Sequence, residues 1–173
     1  MPQNPGVVLS MADTGSALIY DLTTVYKSLQ VNGPRAQPPT KPAHTFKGHK
    51  EEGFAVDWSS VTVGRAATGD CAGGIHIWNP AGNGWTVDPT AYTGHRSSVE
   101  DIQWSPGEAT VFSSCSADRT VKIWDTRGRS GPQISFEAHT DDVNVISWNR
   151  SVGYLLASGS DDGSFKVRLC IAL

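Results

Sequence analysis

The eight residues DRTVKIWD at 118–125 are nearly repeated 46 positions earlier as AGGIHIWN at 72–79 and 44 positions later as DGSFKVRL at 162–169, with a fainter version, TGSALIYD, at 14–21. Self-similarity at a fixed period constrains a fold before any local propensity does. Aligned on Trp78, Trp124 and Arg168, the three clear copies share a histidine 29 positions earlier, at His49, His95 and His139. Nine positions after each histidine stands a tryptophan (Trp58, Trp104, Trp148), and ten positions before each aligned residue stands a hydroxyl (Thr68, Ser114, Ser158). Four positions held in register across three copies are a repeat, not a coincidence.

Within each copy the segments FAVDW, VEDIQW and VNVISW are short, rich in Val, Ile and Trp, and bounded by turn residues, which predicts strands. RAATGD, TVFSSCS and YLLASGS, and then IHIW, TVKIW and FKVR, continue that texture at intervals of about 8 to 12 residues, the spacing of all-β proteins. A fourth strand is expected ahead of each histidine, as in PAHTFKGH and PQISFEAH. Helical periodicity is absent. A period of about 40 to 45 residues with four strands is the signature of one propeller blade.

The dipeptides GH at 48–49 and 94–95, AH at 138–139 and WD at 124–125 are those of WD-repeat proteins. Longer stretches, HKEEGFAVDW, GDCAGGIHIW, GHRSSVEDIQWSP, SCSADRTVKIWD and HTDDVNVISWNR, resemble the central blades of the glutamate-rich WD-repeat family, relatives of the retinoblastoma-binding, histone-binding WD proteins. The resemblance runs from residue 1 to about 169; the final CIAL does not share it. It implies a non-catalytic nuclear and nucleolar chaperone in ribosome biogenesis that binds a basic ribosomal protein, with histone binding as a related activity. The acidic tract that gives the family its name is not in this sequence.

The expected fold is therefore all-β, an incomplete WD-repeat propeller of about four blades or partial blades, each a four-stranded antiparallel sheet. Residues 1–46 form a partial first blade, 47–91 a second, 92–135 a third and 136–173 an incomplete fourth. In VVLSMADTGSALIYD at 7–21, Ser10 takes the hydroxyl position and Tyr20 the aromatic one, so the first blade begins at its second strand. Tyr20 and Trp78 are 58 residues apart, and the excess lies around VNGPRAQPPTKP at 31–42. Its four prolines exclude a central strand and predict an exposed insertion between blades. An unclosed array also leaves strand edges unpaired, which predicts edge-mediated self-association and a fragment of a longer chain.

The 173 residues carry 14 Lys and Arg against 17 Asp and Glu. The balance is uneven: residues 1–50 hold five basic and two acidic side chains, and residues 51–173 hold nine and fifteen. The repeated part is acidic, which favours a basic protein partner and gives no reason to expect direct nucleic-acid binding. Cys71, Cys115 and Cys170 form no C-x-x-C pair, so neither a zinc site nor a full set of disulfides is expected. The N-terminus MPQNPGVVLSMAD lacks a basic n-region, and no run of 18 apolar residues occurs, so no membrane association is expected. No cofactor or metal site is read from the sequence.

His95, Ser114 and Asp118 are the residue types of a hydrolase triad, but one enzyme needs one nucleophile whereas the histidine and a hydroxyl recur in every copy. There is no G-x-S-x-G elbow. By resemblance they form a hydrogen-bonded network with Trp124 that ties a blade together. An indole N–H donates to a hydroxyl, the hydroxyl donates onward, and a neutral imidazole relays to a carboxylate. The expected members are His49, Thr68 and Trp78 in the second copy, and His95, Ser114, Asp118 and Trp124 in the third. In the fourth they are His139, Ser158 and Asp162. The network reads as complete only in the third copy, because Ala72 stands at the aspartate position of the second, although Asp70 is close by, and Arg168 replaces the tryptophan of the fourth.

Recognition is then left to the connections. KEEG, RSSVED and TDDV follow the three histidines and place Glu51, Glu52, Glu100, Asp101, Asp141 and Asp142 in equivalent connections, as a candidate surface for a cationic partner. Two rivals remain: the substrate-recognition subunit of a ubiquitin ligase, for which Trp124-Asp125-Thr126-Arg127 is a W-D-x-R pattern, and a Ser/His/Asp hydrolase.

Overall fold

The computed structural model describes residues 1–31 and 33–170; Asn32, inside the Pro-rich segment, and the last three residues of CIAL lie outside them. Fourteen strands form four antiparallel sheets. Sheet 1 holds β1 (Val7–Met11), β2 (Ala17–Asp21) and β3 (His44–Phe46). Sheet 2 holds β4 (Ala55–Trp58), β5 (Ala66–Gly69), β6 (Ile75–Ala81) and β7 (Gly84–Val87). Sheet 3 holds β8 (Val99–Trp104), β9 (Val111–Ser116), β10 (Thr120–Asp125) and β11 (Ile134–Glu137), and sheet 4 holds β12 (Val143–Trp148), β13 (Leu155–Ser160) and β14 (Phe165–Leu169). The outer strand of sheet 3 ends two residues past the boundary drawn at 135 from sequence.

The internal repeat is a repeat of register. Thr68 pairs with His76, Ser114 with Lys122 and Ser158 with Lys166, and in sheet 1 Ser10 pairs with Leu18. Because side chains alternate across a strand, one shared register puts equivalent residues on equivalent faces in all four sheets. The first strands of successive sheets, β1, β4, β8 and β12, neighbour one another in chain order, and the four sheets form an open arc.

The core lies between sheets. Val7, Leu9, Ala17 and Ile19 of sheet 1 pack on Ala66 and Trp78 of sheet 2. Ile75 and Ile77 of sheet 2 meet Val99, Ile102, Trp104, Phe112 and Trp124 of sheet 3. Val121 and Ile123 of sheet 3 meet Val143, Ile146, Trp148 and Leu156 of sheet 4. Sheets 2 and 3 approach so closely at Gly69 that a Cβ there would lie 2.7 Å from Val99 Cγ1. The glycine is required by that approach rather than by its own dihedrals.

One element departs from the sequence reading. Among the described residues a single short helix, α1 (Thr23–Ser28), follows β2; it has no side-chain cap and buries no residue fully, so no apolar period announces it. The described part of the Pro-rich segment that follows it carries neither helix nor strand, and nearly all of it is exposed.

Candidate interaction surface and the network beneath it

In sheet 3, Trp124 Nε1 donates to Ser114 Oγ at 2.8 Å, Ser114 Oγ lies 2.7 Å from His95 Nε2, and His95 Nδ1 lies 3.0 Å from Asp118 Oδ2. The indole can only donate, so the hydroxyl proton goes to Nε2 and the imidazole carries its proton on Nδ1, facing the carboxylate. Asp118 Oδ2 also accepts the Arg96 amide at 3.0 Å, and Oδ1 accepts the Thr120 hydroxyl at 2.5 Å. Burial on its own raises the Asp118 carboxyl, but the hydrogen bonds from His95, Thr120 and Arg96 outweigh it and hold the group well below the usual carboxylate range. Burial lowers His95 against the pull of Asp118, so the ring is neutral at physiological pH.

Sheet 4 repeats the arrangement without an indole. His139 Nε2 is 2.8 Å from Ser158 Oγ and its Nδ1 is 3.0 Å from Asp162 Oδ2, which also accepts the Thr140 amide. Ser164 takes the part of Thr120, and its hydroxyl is the first cause of the depressed Asp162 carboxyl. Arg168 turns outward along the sheet, donates to Ala138 O and lies over the Phe136 ring at 5.1 Å.

Sheet 2 corrects one expectation. Ala72 does occupy the aspartate position, but Asp70, two residues earlier, supplies the carboxylate: its Oδ2 lies 3.0 Å from His49 Nδ1 and accepts the Lys50 amide. His49 Nε2 is 2.7 Å from Thr68 Oγ1, which accepts Trp78 Nε1 at 3.0 Å. The Asp70–Gly74 hairpin makes this reach possible, since Asp70 Oδ1 is tied to the Gly74 amide and leaves the other oxygen facing the ring.

Sequence reasoning missed a second layer of polar contacts that joins one sheet to the next. Asp57, just before Trp58, accepts the Trp104 amide at 2.7 Å, and Gln103, just before Trp104, accepts the Trp148 amide at 2.7 Å. The two share a position in the repeat but not a residue type, so no repeated letter marks them. Desolvation pushes the Asp57 carboxyl up to about 6. His76, in the register of Lys122 and Lys166, was also missed; it is buried beside Phe46 and His49 and bonds to Asp88 O at 2.8 Å.

Of the acidic candidates, Glu51, Glu52 and Asp141 are exposed and Asp142 is half-buried, all in the connections just after His49 and His139. Glu100 and Asp101 do not lie in the equivalent connection; they are inside β8. Asp101 sits at a bulge opposite β9 and turns toward sheet 4, where its Oδ2 accepts the Ile146 amide at 3.0 Å. Burial raises its pKa, and this carboxylate is committed to a junction between sheets rather than to a surface. Among the described residues the ion pairs are His49–Asp70, His95–Asp118, His139–Asp162, Arg127–Asp125 and Arg129–Asp88, so no cation neutralises Glu51, Glu52, Asp141 or Asp142.

The WD domain, G-beta repeat family matches residues 88–125 and 130–168, the spans that carry sheets 3 and 4. The chain carries WD repeats over these spans. It is 47% identical over 142 residues to Protein HEAT STRESS TOLERANT DWD 1 of Arabidopsis thaliana, a match covering 79% of this chain and 30% of that one. It is 49% identical over 127 residues to Glutamate-rich WD repeat-containing protein 1 of Dictyostelium discoideum, covering 73% and 26%. To Ribosome assembly protein rrb1 of Schizosaccharomyces pombe it is 38% identical over 144 residues, covering 82% and 30%. This WD-repeat chain thus spans less than a third of the length of these relatives. A chain of a solved structure titled Crystal Structure of Mitotic Checkpoint Complex shares the fold, with a TM-score of 0.67 at 22% identity over 90% of this chain and 42% of that one.

Proposed function

We propose that this WD-repeat chain is a non-catalytic protein-interaction scaffold acting in ribosome assembly in the nucleus and nucleolus, with a basic ribosomal protein or a histone as client. The reading is carried by the exposed, unneutralised carboxylates Glu51, Glu52, Asp141 and Asp142, which stand directly after the buried network histidines and so are presented by rigid sheets. Exposed carboxylates raise the encounter rate with a cationic surface and lose that effect as salt screens them. The name of the fission yeast relative supports the ribosomal setting.

Against catalysis stands the burial of the triad-like geometry of sheet 3. Ser114 is fully buried and its Oγ already accepts the Trp124 indole, which leaves no approach for a carbonyl carbon. The same arrangement recurs at His49 and His139, as a structural unit does and a nucleophile does not.

The test is capture of a purified basic ribosomal protein or histone by the chain at low and physiological salt, beside Asp141→Asn/Asp142→Asn. Binding should fall severalfold with salt and again with the substitutions; indifference to both removes the proposed surface. A second reading, substrate recognition in a ubiquitin ligase, rests on Arg127, whose exposed side chain is clasped by Asp125 in the W-D-x-R pattern. It predicts that Arg127→Ala abolishes capture of a ligase adaptor and leaves capture of the basic client unchanged.

A further inference from the structure

At one register sheet 2 departs from sheets 3 and 4, and a cavity opens there. Sheets 3 and 4 carry a carboxylate, a hydroxyl and a lysine at alternate positions: Asp118, Thr120 and Lys122, then Asp162, Ser164 and Lys166. Sheet 2 has Ala72, Gly74 and His76. In sheet 3 the Thr120 hydroxyl donates to Asp118 Oδ1 at 2.5 Å, and Lys122 Nζ donates to Ser135 Oγ of the outer strand at 2.6 Å. Sheet 2 keeps the carboxylate, moved to Asp70, and lacks both donors. Its outer strand departs as well: β7 pairs with β6 as far as Trp78 and Val87, contact resumes at Ile75 and Tyr92, and Asp88, Pro89, Thr90 and Ala91 bulge away opposite His76 and Ile77. Arg129, from the connection between β10 and β11, holds this bulge by pairing with Asp88 and donating to Thr90 O at 2.9 Å. The result is a cavity of about 330 Å³ lined by Asp70, Ala72, Gly74, His76, Pro89 and Ala91 among others, all from sheet 2 and the connections that flank it.

The polar groups of this cavity are acceptors in need of a donor. Asp88 O can only accept, so His76 Nδ1 carries the proton of that 2.8 Å bond and Nε2 is left with a lone pair. His76 is 2% exposed, burial lowers its pKa and keeps the ring neutral, and among the described residues no donor is bonded to Nε2. Such an acceptor calls for a partner. Burial raises the Asp70 carboxyl, but hydrogen bonds from His49, Gly74 and Lys50 hold it below the usual range, so it is ionised. A Cβ at Gly74 would lie 3.1 Å from Asp70 Oδ2, so the glycine leaves the carboxylate open on that side. Lys50 also lines the cavity; it is exposed and, among the described residues, forms no ion pair. We infer that the cavity receives a lysine side chain of the protein client, whose ammonium faces His76 and Asp70 in place of the one that Lys122 and Lys166 supply in the other sheets, and whose aliphatic stem lies along Pro89 and Ala91. The inference rests on the basic client proposed above. Cavity and proposed surface adjoin, because Cys71 donates its amide to Glu52 O at 2.8 Å and so pins the connection of Glu51 and Glu52 to the hairpin that lines the cavity.

The probe is a short peptide carrying one lysine, titrated into the full chain and followed by the NMR shifts of the His76 ring nitrogens and the Ala91 amide. Both signals should move saturably, and the same peptide with its lysine acetylated should move neither. Lys50→Ala, which removes a competing ammonium, should tighten binding severalfold. His76→Lys, which restores within the chain the ammonium of sheets 3 and 4, should weaken it by about tenfold, the worth of one charge-assisted hydrogen bond. Its fold is checked by circular dichroism, and Ala91→Leu, which narrows the cavity and leaves His76 and Asp70 in place, should also weaken binding. Unmoved signals overturn the inference, as do an acetylated peptide that binds equally well and a His76→Lys chain that binds like wild type. Binding lost in Lys50→Ala would mark an anion site, and putrescine binding more tightly than the peptide would mark a site for a free diamine; either overturns it. Capture of the basic client separates the cavity from the reading it rests on. Salt-sensitive capture beside a peptide that does not bind removes the cavity alone, whereas a peptide that binds beside salt-indifferent capture removes the acidic surface alone.

Discussion

At Asp57 two requirements conflict. Its carboxylate accepts the Trp104 amide and so links sheet 2 to sheet 3, yet burial pushes its pKa up to about 6. A carboxyl whose folded pKa lies above its unfolded value binds more protons when folded, so between about pH 4 and 6 stability falls as pH rises. Asp57→Asn keeps an acceptor and removes the charge. The variant should melt higher than wild type at pH 8, by on the order of 1–3 kcal/mol, and the gap should close at pH 4. Equal melting at both pH values would show the carboxylate to be solvated. Asp118 runs the other way: its folded pKa is depressed, so its contribution is present above about pH 4 and is lost on acidification below that. His95→Ala or Asp118→Ala orphans the rest of the chain of hydrogen bonds and should cost about 1–3 kcal/mol per buried group left unpaired, read as a lower Tm at pH 7.

Among the elements, one pair of substitutions within the repeat has a common cause. A Cβ at Gly94, which precedes His95, would lie 3.0 Å from the Trp124 ring. Where Arg168 replaces that tryptophan, the residue before the histidine is Ala138, and the arginine donates to its carbonyl. Arg168→Trp alone is therefore expected to gain nothing, while Arg168→Trp with Ala138→Gly should supply an indole donor to Ser158. The double variant should raise Tm by about 2–4 °C, roughly the 1 kcal/mol of one net buried hydrogen bond. Equal Tm for single and double variants would separate the two positions. The indoles of the inner strands show the same sensitivity to neighbours. Trp148 Nε1 donates to Gly153 O, but the matching carbonyl in sheet 3, Ala109 O, is taken by Arg65, and Trp104 Nε1 is left without a protein partner.

These examples mark how far the sequence could be read. The strands, and the order of a partial, two full and a final incomplete blade, are legible because period-2 apolar runs and the recurring His, hydroxyl and Trp positions report burial directly. Asp70 was misjudged because a side chain can reach across a hairpin from a neighbouring position, and position alone does not encode reach. Asp57 and Gln103 were invisible because they act through backbone amides 47 and 45 residues away, which any acceptor satisfies. Glu100 and Asp101 were placed in a connection because the bulge at the start of β8 breaks the alternation that marks a strand.

For the whole molecule, an open arc predicts a gradient of stability along the chain. Among the described residues sheet 3 is covered on both faces, whereas sheet 4 is covered on one and β14 pairs only with β13. In dilute chain, amides of β14 should exchange with deuterium far faster than those of β9 and β10, and a uniform rate across the four sheets would contradict a nearest-neighbour array. The central claim is that three equivalent imidazoles are buried and carry a proton on Nδ1, facing a carboxylate. Nitrogen-15 NMR of the histidine rings at pH 7 tests it most directly. The account predicts slowly exchanging Nδ1 protons for His49, His95 and His139, each lost in the matching Asp70→Ala, Asp118→Ala or Asp162→Ala variant. Rings that carry their single proton on Nε2, or Nδ1 protons that survive loss of the carboxylate, would contradict it.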